Sequence, residues 1–380
     1  MKIEQRNFAA ATGWKQIESK HSGVFKPQIV LVFGSRSLLC DQSLLQEIKQ
    51  FYPEAKLFGC STSGEIAGIT VNDETVVATA VEFEKTKLKF AETRVSGPED
   101  SFNSAIQLVD QLPEEGLKHV FVLSDGLNVN GTKLVNGLRQ HLPDNVHITG
   151  GLAGDGALFQ STCVVSGGIA ESHKIAAIGF YGSDLHYGFG SFGGWDSFGI
   201  ERMVTKSQSN VLFEIDGEPA LKLYKSFLGE QAADLPASGL LFPLSMRTKP
   251  GELPVVRTIL AINEEEQSIT FAGDIPQGAY VKLMKANIDR LIHGAEKAAE
   301  TSINNESNKK PELAILISCV GRKLVLKQMV EEEVEAVKSI LGEDVVQTGF
   351  YSYGEISPFS SESKCELHNQ TMTITTFREV

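Results

Sequence analysis

This 380-residue chain is short of cysteine, of long apolar runs and of positive charge. The five cysteines (Cys40, Cys60, Cys163, Cys319 and Cys365) are scattered, odd in number and without the CxxC spacing of a zinc site. That usage excludes a disulfide framework and fits free thiols in a reducing, cytoplasmic compartment. Apolar runs such as Ile29–Phe33 and Leu313–Ile317 are strand-length, far below a membrane span, so no membrane insertion is expected. The opening MKIEQRNFAAATGW has no apolar stretch of signal-peptide length. A formal net charge of −13 disfavours nonspecific binding to nucleic acid or anionic lipid, both of which reward a basic surface. Low-complexity tracts are lacking too.

What is present is ordinary in bulk and unusual in pattern. Hydrophobic content of 42% and charged content of 22% are those of a globular protein, and the length calls for two domains or a duplicated one. Leu57–Gly68 reads LFGCSTSGEIAG, and Thr348–Pro358 reads TGFYSYGEISP. Both place Gly-Glu-Ile five residues after a glycine: Gly59 with Gly64-Glu65-Ile66, Gly349 with Gly354-Glu355-Ile356. Each closes a strand, helix, strand succession. The first runs from Gln28–Gly34 through a helix at Leu44–Phe51; the second runs from Glu312–Cys319 through a helix at Leu324–Leu341. The matching context predicts an internal duplication. A third unit of the same kind runs from His119–Asp125 through Thr132–Leu142 and Val146–Thr149 to GGLAGDG, Gly150–Gly156.

The fold class expected is α/β, as two related mixed-sheet domains that duplicate a strand-helix-strand-glycine unit. After an N-terminal arm (1–27), the first domain is placed at 28–205 and the second at 206–380. Ala157–Gly167 is expected to be a strand, Leu283–Ala299 a long helix, and Ser302–Glu312 an exposed polar connection.

Glycines and small hydroxyls just after buried strands point to a ligand crevice, because ligands of open α/β sheets bind at the carboxyl ends of strands. The candidate residues there are Cys60, Ser61, Thr62, Ser63, Gly64 and Glu65, joined by Gly150, Gly151 and Asp155. Glu65 or Glu355 would bind an amine, Arg322 a carboxylate through its bidentate fork, and Tyr351 or Tyr353 a flat ring. The two glutamates equally suit local backbone amides after the turn, and Arg322 an ordinary helix start. A second feature is Leu185–Gly199, LHYGFGSFGGWDSFG, where glycines alternate with aromatics including Trp195. It reads as a ligand wall or as packing at a domain seam. Dinucleotide binding is disfavoured because no helix opens at the last glycine of GGLAGDG. Catalysis is not expected: Ser124-Asp125-Gly126 lacks the glycine-flanked serine of a nucleophile elbow, and Cys60 has no recognisable base.

The motifs GCSTSGEIAG, HITGGLAGDG, DGEPALKLYKSFLG, SCVGRKLVL, GFYSYGEISP and CELHNQT, in this order, resemble the FIST family of bacterial ligand sensors from about Gln28 to the end. The resemblance implies a small-molecule sensory module, with amino acids and related compounds as proposed ligands. The stretch GSFGGWDSFG resembles the nitric-oxide-sensing, haem-binding branch, NosP, which implies haem as cofactor and a histidine kinase as partner. On that reading a histidine supplies the axial ligand. His186, just before the glycine-aromatic stretch, is the first choice; His173, His368 and Cys60 stand behind it. The competing expectation is a haem-free module for a small metabolite in the same crevice.

Overall fold

The computed structural model describes residues 1–303, 310–360 and 363–380. Its organising feature is a unit repeated three times: opening strand, crossover helix, parallel second strand, short hairpin, antiparallel closing strand. In the first unit these are Ile29–Gly34, Gln42–Phe51, Lys56–Ser61, the hairpin Glu65–Ala67/Thr70–Asn72, and Thr75–Glu82. In the second they are Leu117–Ser124, Gly131–His141, His147–Leu152, Val164–Ser166/Ile169–Glu171, and Lys174–Tyr181. In the third they are Leu313–Cys319, Val330–Leu341, Val346–Ser352, Gly354–Pro358/Cys365–His368, and Met372–Glu379.

No unit is closed on itself. The first unit's hairpin pairs with the third unit's second strand, the second's with the first, and the third's with the second. The strand after each closing strand is exported as well. Lys87–Arg94 pairs with the second unit's closing strand, and Leu185–Phe192 with the third's. For the first unit's sheet the corresponding partner is Lys2–Ala9, at the start of the chain. Residues 1–27, expected as an arm, thus supply a sheet strand, itself flanked by Gly13–Lys20. Three sheets are tied in a ring, and their inner faces meet in one core. There Phe33 packs on Phe350 (centroids 4.8 Å apart), Phe58 on Phe121 (6.2 Å) and Phe180 on Phe377 (4.9 Å). Helices cover the outer faces, so the opening strands are buried on both sides and read as unbroken apolar runs.

The motif glycines are required by this packing. A Cβ on Gly59, Gly150 or Gly349 would sit 1.7, 1.8 or 1.9 Å from the carbonyl oxygen of Val32, Val122 or Leu316 on the neighbouring parallel strand. Only glycine permits that approach.

Between the second and third units the chain makes an excursion, from Arg202–Gln208 to Tyr280–Lys285, with a helix at Ala220–Leu228. It has its own core, which includes Leu212, Tyr224 and Phe271. Three expectations are revised. The helix placed at Leu283–Ala299 begins at Ile288, because Tyr280–Lys285 is a strand of the excursion. The helix placed at Leu324–Leu341 breaks at Lys327, whose φ is 52°. The strand placed at Ala157–Gly167 is confined to Val164–Ser166. The segment before it is wound around the Asp155 carboxylate, which accepts from the amides of Phe159, Gln160 and Ser161, each at 2.8 Å. The middle of the Ser302–Glu312 connection, residues 304–309, lies outside the described residues.

Candidate functional site

The strand ends of the three units meet around one axis and are stitched by a ring of backbone hydrogen bonds. Ser63 N donates to Tyr351 O (2.8 Å), Tyr353 N to Leu152 O (3.2 Å), and Gly154 N to Ser61 O (2.9 Å). Each bond joins equivalent positions of successive units. The predicted motif residues of all three units are therefore brought together, but as structure first and ligand surface second.

The two motif glutamates show this. Glu65 is buried and accepts from the Thr62 hydroxyl, from Thr75 N (3.2 Å) and from Thr75 Oγ1 (2.7 Å). Glu355 repeats the pattern with Ser352 Oγ (2.8 Å), Thr371 N (3.1 Å) and Thr371 Oγ1 (2.8 Å). Each carboxyl locks its hairpin to the start of its own closing strand. In the second unit Asp125 does this work from the end of the opening strand, holding His173 N at 2.7 Å and Thr162 Oγ1 at 2.8 Å. Of the two readings open to the glutamates, satisfaction of local amides is the one their contacts match.

Burial pushes the Glu65 carboxyl up to about 7 and the Glu355 carboxyl up to about 8, against the hydrogen bonds they accept. A folded-state value raised above the unfolded 4.5 means stability is fully present below that pH and is lost as pH rises through the folded value. Buried His119 and His368 and half-buried His147, all depressed by desolvation, act in the opposite sense below 6.5. The clean window is therefore from 6.5 up to about 8. Glu355→Gln keeps the acceptor for Thr371, and is expected to gain on the parent by up to ~1.4 kcal/mol per pH unit in that window. Urea midpoints at a series of pH values measure this. A parent-to-variant gap that does not change with pH would remove the carboxyl from the explanation.

The ring leaves a crevice between each pair of units, and the three differ. In the third unit it is filled. Lys323 Nζ donates to Ser63 O (2.9 Å) and to Asp73, above the Tyr351 ring. In the second unit, a cavity of about 170 Å³ with Leu152, Phe159 and Tyr353 in its wall is covered by the excursion. In the first unit the crevice is open, about 210 Å³, and lined by Arg36, Thr62, Ser63, Gly64, Glu65, Glu74 and Asp155 among others. Thr62, Ser63, Gly64, Glu65 and Asp155 were predicted. Arg36 and Glu74 were missed, although Arg36 stands two residues beyond the end of the opening strand, and counting from strand ends would have found it.

Several predicted ligand residues lie elsewhere. Arg322 is wholly buried, donating through Nε to Glu333 (2.8 Å) and through Nη2 to Leu291 O (2.8 Å). Tyr351 Oη donates to the same Glu333 (3.0 Å), and burial raises its hydroxyl well above the ordinary value. Trp195 Nε1 donates to Gln370 O (2.9 Å). The glycines around Trp195 seat a helix, since a Cβ on Gly188, Gly190 or Gly194 would meet Ser302, Ala298 or Arg290 carbonyl oxygens at 1.9, 2.2 and 2.1 Å. Of the two readings of the glycine-aromatic stretch, packing is the one these contacts match. Cys60 is fully buried in its strand and its thiol is pushed well up by desolvation. Ser61 accepts from Cys163 N (3.0 Å) inside the sheet. Gly150 and Gly151 lie within the second strand of the second unit. Tyr353 Oη donates to Asp155. His186 is exposed on Leu185–Phe192, paired across the ladder with Arg378, and is absent from the crevice lining. Among the described residues no cluster of three metal-ligating side chains occurs, and no helix is long and apolar enough to cross a membrane.

An uncharacterized protein of Methanocaldococcus jannaschii is 23% identical over 347 residues, which cover 84% of this chain and 64% of that protein. The chain thus spans less than two thirds of that relative's length. The crystal structure of cyanuric acid hydrolase from A. caulinodans aligns with 93% of this chain and 90% of its own at 8% identity, with a TM-score of 0.32. Residues 28–218, which contain the first two units, match the FIST N domain, and residues 220–358 match the FIST C domain. This chain belongs to the FIST family of sensory modules.

Proposed function

We propose that this protein senses a small polar metabolite bearing an anionic group, held in the open crevice of the first unit. Arg36 carries the reading. Its Nε is buried without a hydrogen-bond partner, and among the described residues Arg36 enters no ion pair, whereas neighbouring Asp73 is taken by Lys323. An unpaired guanidinium beside hydroxyls is a seat for a carboxylate. Glu74, held by Ser37 Oγ at 3.1 Å, stands in the same lining and suits an ammonium. A zwitterion of amino-acid size matches both. Occupancy acts on a partner by favouring one conformation of the surface the partner reads; the resemblance to the haem-binding branch makes a histidine kinase the expected partner. Thermal-shift and calorimetric titration against the common L-amino acids test the reading. A binder is expected to lose ~10-fold to 100-fold in affinity on Arg36→Met, with the unliganded Tm little changed. Full affinity in the variant, or no binder in the panel, would move the site away from Arg36.

The finer expectation, haem with nitric oxide as input, does not fit this crevice, which offers carboxylates, hydroxyls and a guanidinium but no imidazole or thiol. One observation favours it elsewhere. A second cavity, of about 670 Å³, has His147 in its wall together with Arg139 and Lys364. The Tyr187 hydroxyl donates to Lys118 O (2.9 Å), so His147 Nδ1 must donate to the Tyr187 hydroxyl oxygen (2.9 Å), leaving Nε2 with its lone pair. Desolvation also keeps this imidazole neutral. On this reading His147 would hold the iron and Lys364 a propionate, with Arg139, paired to Glu366, beside them. Haem would supply the nitric-oxide-binding iron. A saturable Soret band lost in His147→Ala and kept in His186→Ala supports it; a band lost only in His186→Ala restores the first choice.

A further inference from the structure

The open crevice and the covered one share a wall, the segment 156–161. Gly156, Gln160 and Ser161 face the open crevice, while Phe159 lines the cavity beneath the excursion. Asp155 holds this segment through its three amide contacts, and Tyr353 braces it by donating to Asp155. Phe159 is held at φ 53°, a conformation that costs a bulky residue free energy and survives only where its surroundings over-determine it. Those surroundings are the clamp and a stack of the Phe159 ring on Tyr353, with centroids 4.4 Å apart and planes 11° from parallel.

Across the cavity stand Asn210, Phe271 and Gly273 of the excursion. Polar ties nearby are sparse: Asn130 Nδ2 to Asp274 Oδ1 (2.9 Å), Asp274 N to Thr132 Oγ1 (3.4 Å), and Arg257 Nη1 to Leu367 O (3.0 Å). The excursion has a core of its own, and a cavity of about 170 Å³ separates part of it from the ring at Phe159. The strained loop forms one wall of that cavity, which leaves the Phe159 ring space to shift against the excursion.

We infer that the segment 156–161 is the coupling element of the sensor: a ligand touching Gln160 and Ser161 changes how Phe159 supports the excursion, and the excursion carries the signal outward. The inference rests on the open crevice being the ligand site, but its test needs no ligand. A wall that lines both the ligand crevice and the cavity beneath the excursion biases both by linkage, with no longer pathway required.

Hydrogen exchange on the full chain reads the coupling. A Cβ on Gly156 (φ 75°) meets no atom within 4 Å, so Gly156→Ala strains the loop from the crevice side without touching the excursion. It is expected to speed exchange about fivefold in residues 157–163 and, with them, in 209–215 and 268–275, while 313–319 stays unchanged. In a Phe159→Ala background the same substitution is expected to speed the loop alone, because the link is cut. An unmoved loop, a moved loop with a still excursion, or the same response with and without the Phe159 ring each overturns the inference. Amino-acid binding sensitive to Arg36 would survive any of these outcomes, and its failure would leave the exchange result standing.

Discussion

Arg322→Ala is expected to destabilise the protein by ~3–5 kcal/mol, the cost of stranding a buried charge. Glu333 is completely buried, and its carboxylate is held by Arg322, by Ser318 Oγ (2.8 Å) and by Tyr351 Oη (3.0 Å). Without the guanidinium, a carboxylate remains in the interior with two hydroxyls for company. Gly193 and Leu291 carbonyl oxygens lose their donor as well. Replacing both charged partners, Arg322→Met with Glu333→Leu, removes the charge from each side and is expected to recover much of the loss. The Ser318 and Tyr351 hydroxyls then stay unpaired at ~1–3 kcal/mol each, so adding Tyr351→Phe should recover more. Urea midpoints of the single, double and triple variants at pH 7 decide it. A double variant no better than Arg322→Ala would mean the pair acts through more than its charges. Arg322 and Tyr351 thus leave the list of ligand contacts because their bonding capacity is already used.

Removing residues 1–27 is expected to abolish soluble monomer. Lys2–Ala9 pairs along its whole length with Thr75–Glu82, and Ile3 is 1% exposed. Gln5 Nε2 reaches Thr79 Oγ1 and Gln347 O, both at 3.0 Å, so this strand bonds to the first and third units together. Its loss turns the closing strand of the first unit, buried at seven of eight positions, into an open apolar edge, a template for aggregation. The strand also takes the place beside the closing strand that Lys87–Arg94 and Leu185–Phe192 take in the other two sheets. Soluble yield and size-exclusion profile measure the effect. A monomeric truncated chain with the parent's Tm would show the N-terminal strand to be dispensable. The milder Gln5→Ala removes two buried hydrogen bonds and is expected to cost ~1–3 kcal/mol.

The sequence by itself determined the α/β class and the duplication, and from the GGLAGDG region even the third unit. These rest on local signals: an unbroken apolar run for a strand buried on both faces, a 3.6-residue stripe for its helix, and glycines where a carbonyl oxygen leaves no room for a Cβ. The same signals drew attention to Thr62–Glu65 and Asp155, which do line the open crevice. Only the tertiary structure decided which residues have bonding capacity to spare. Glu65, Glu355, Asp155, Arg322 and Tyr351 look like binding groups as side chains, yet each is saturated by partners that only the fold brings to it, from Thr75, 10 residues on, for Glu65 to Tyr353, 198 residues on, for Asp155. Arg36 looks like any residue at a helix start, and that its Nε has no partner among the described residues is a fact only of three dimensions. Hairpin exchange is likewise invisible in the sequence, because a three-residue strand such as Glu65–Ala67 carries the same pattern whichever sheet it joins. Local order follows from side-chain size and backbone geometry. Satisfaction of a polar group is a property of everything packed around it, and that is where the candidate site was decided.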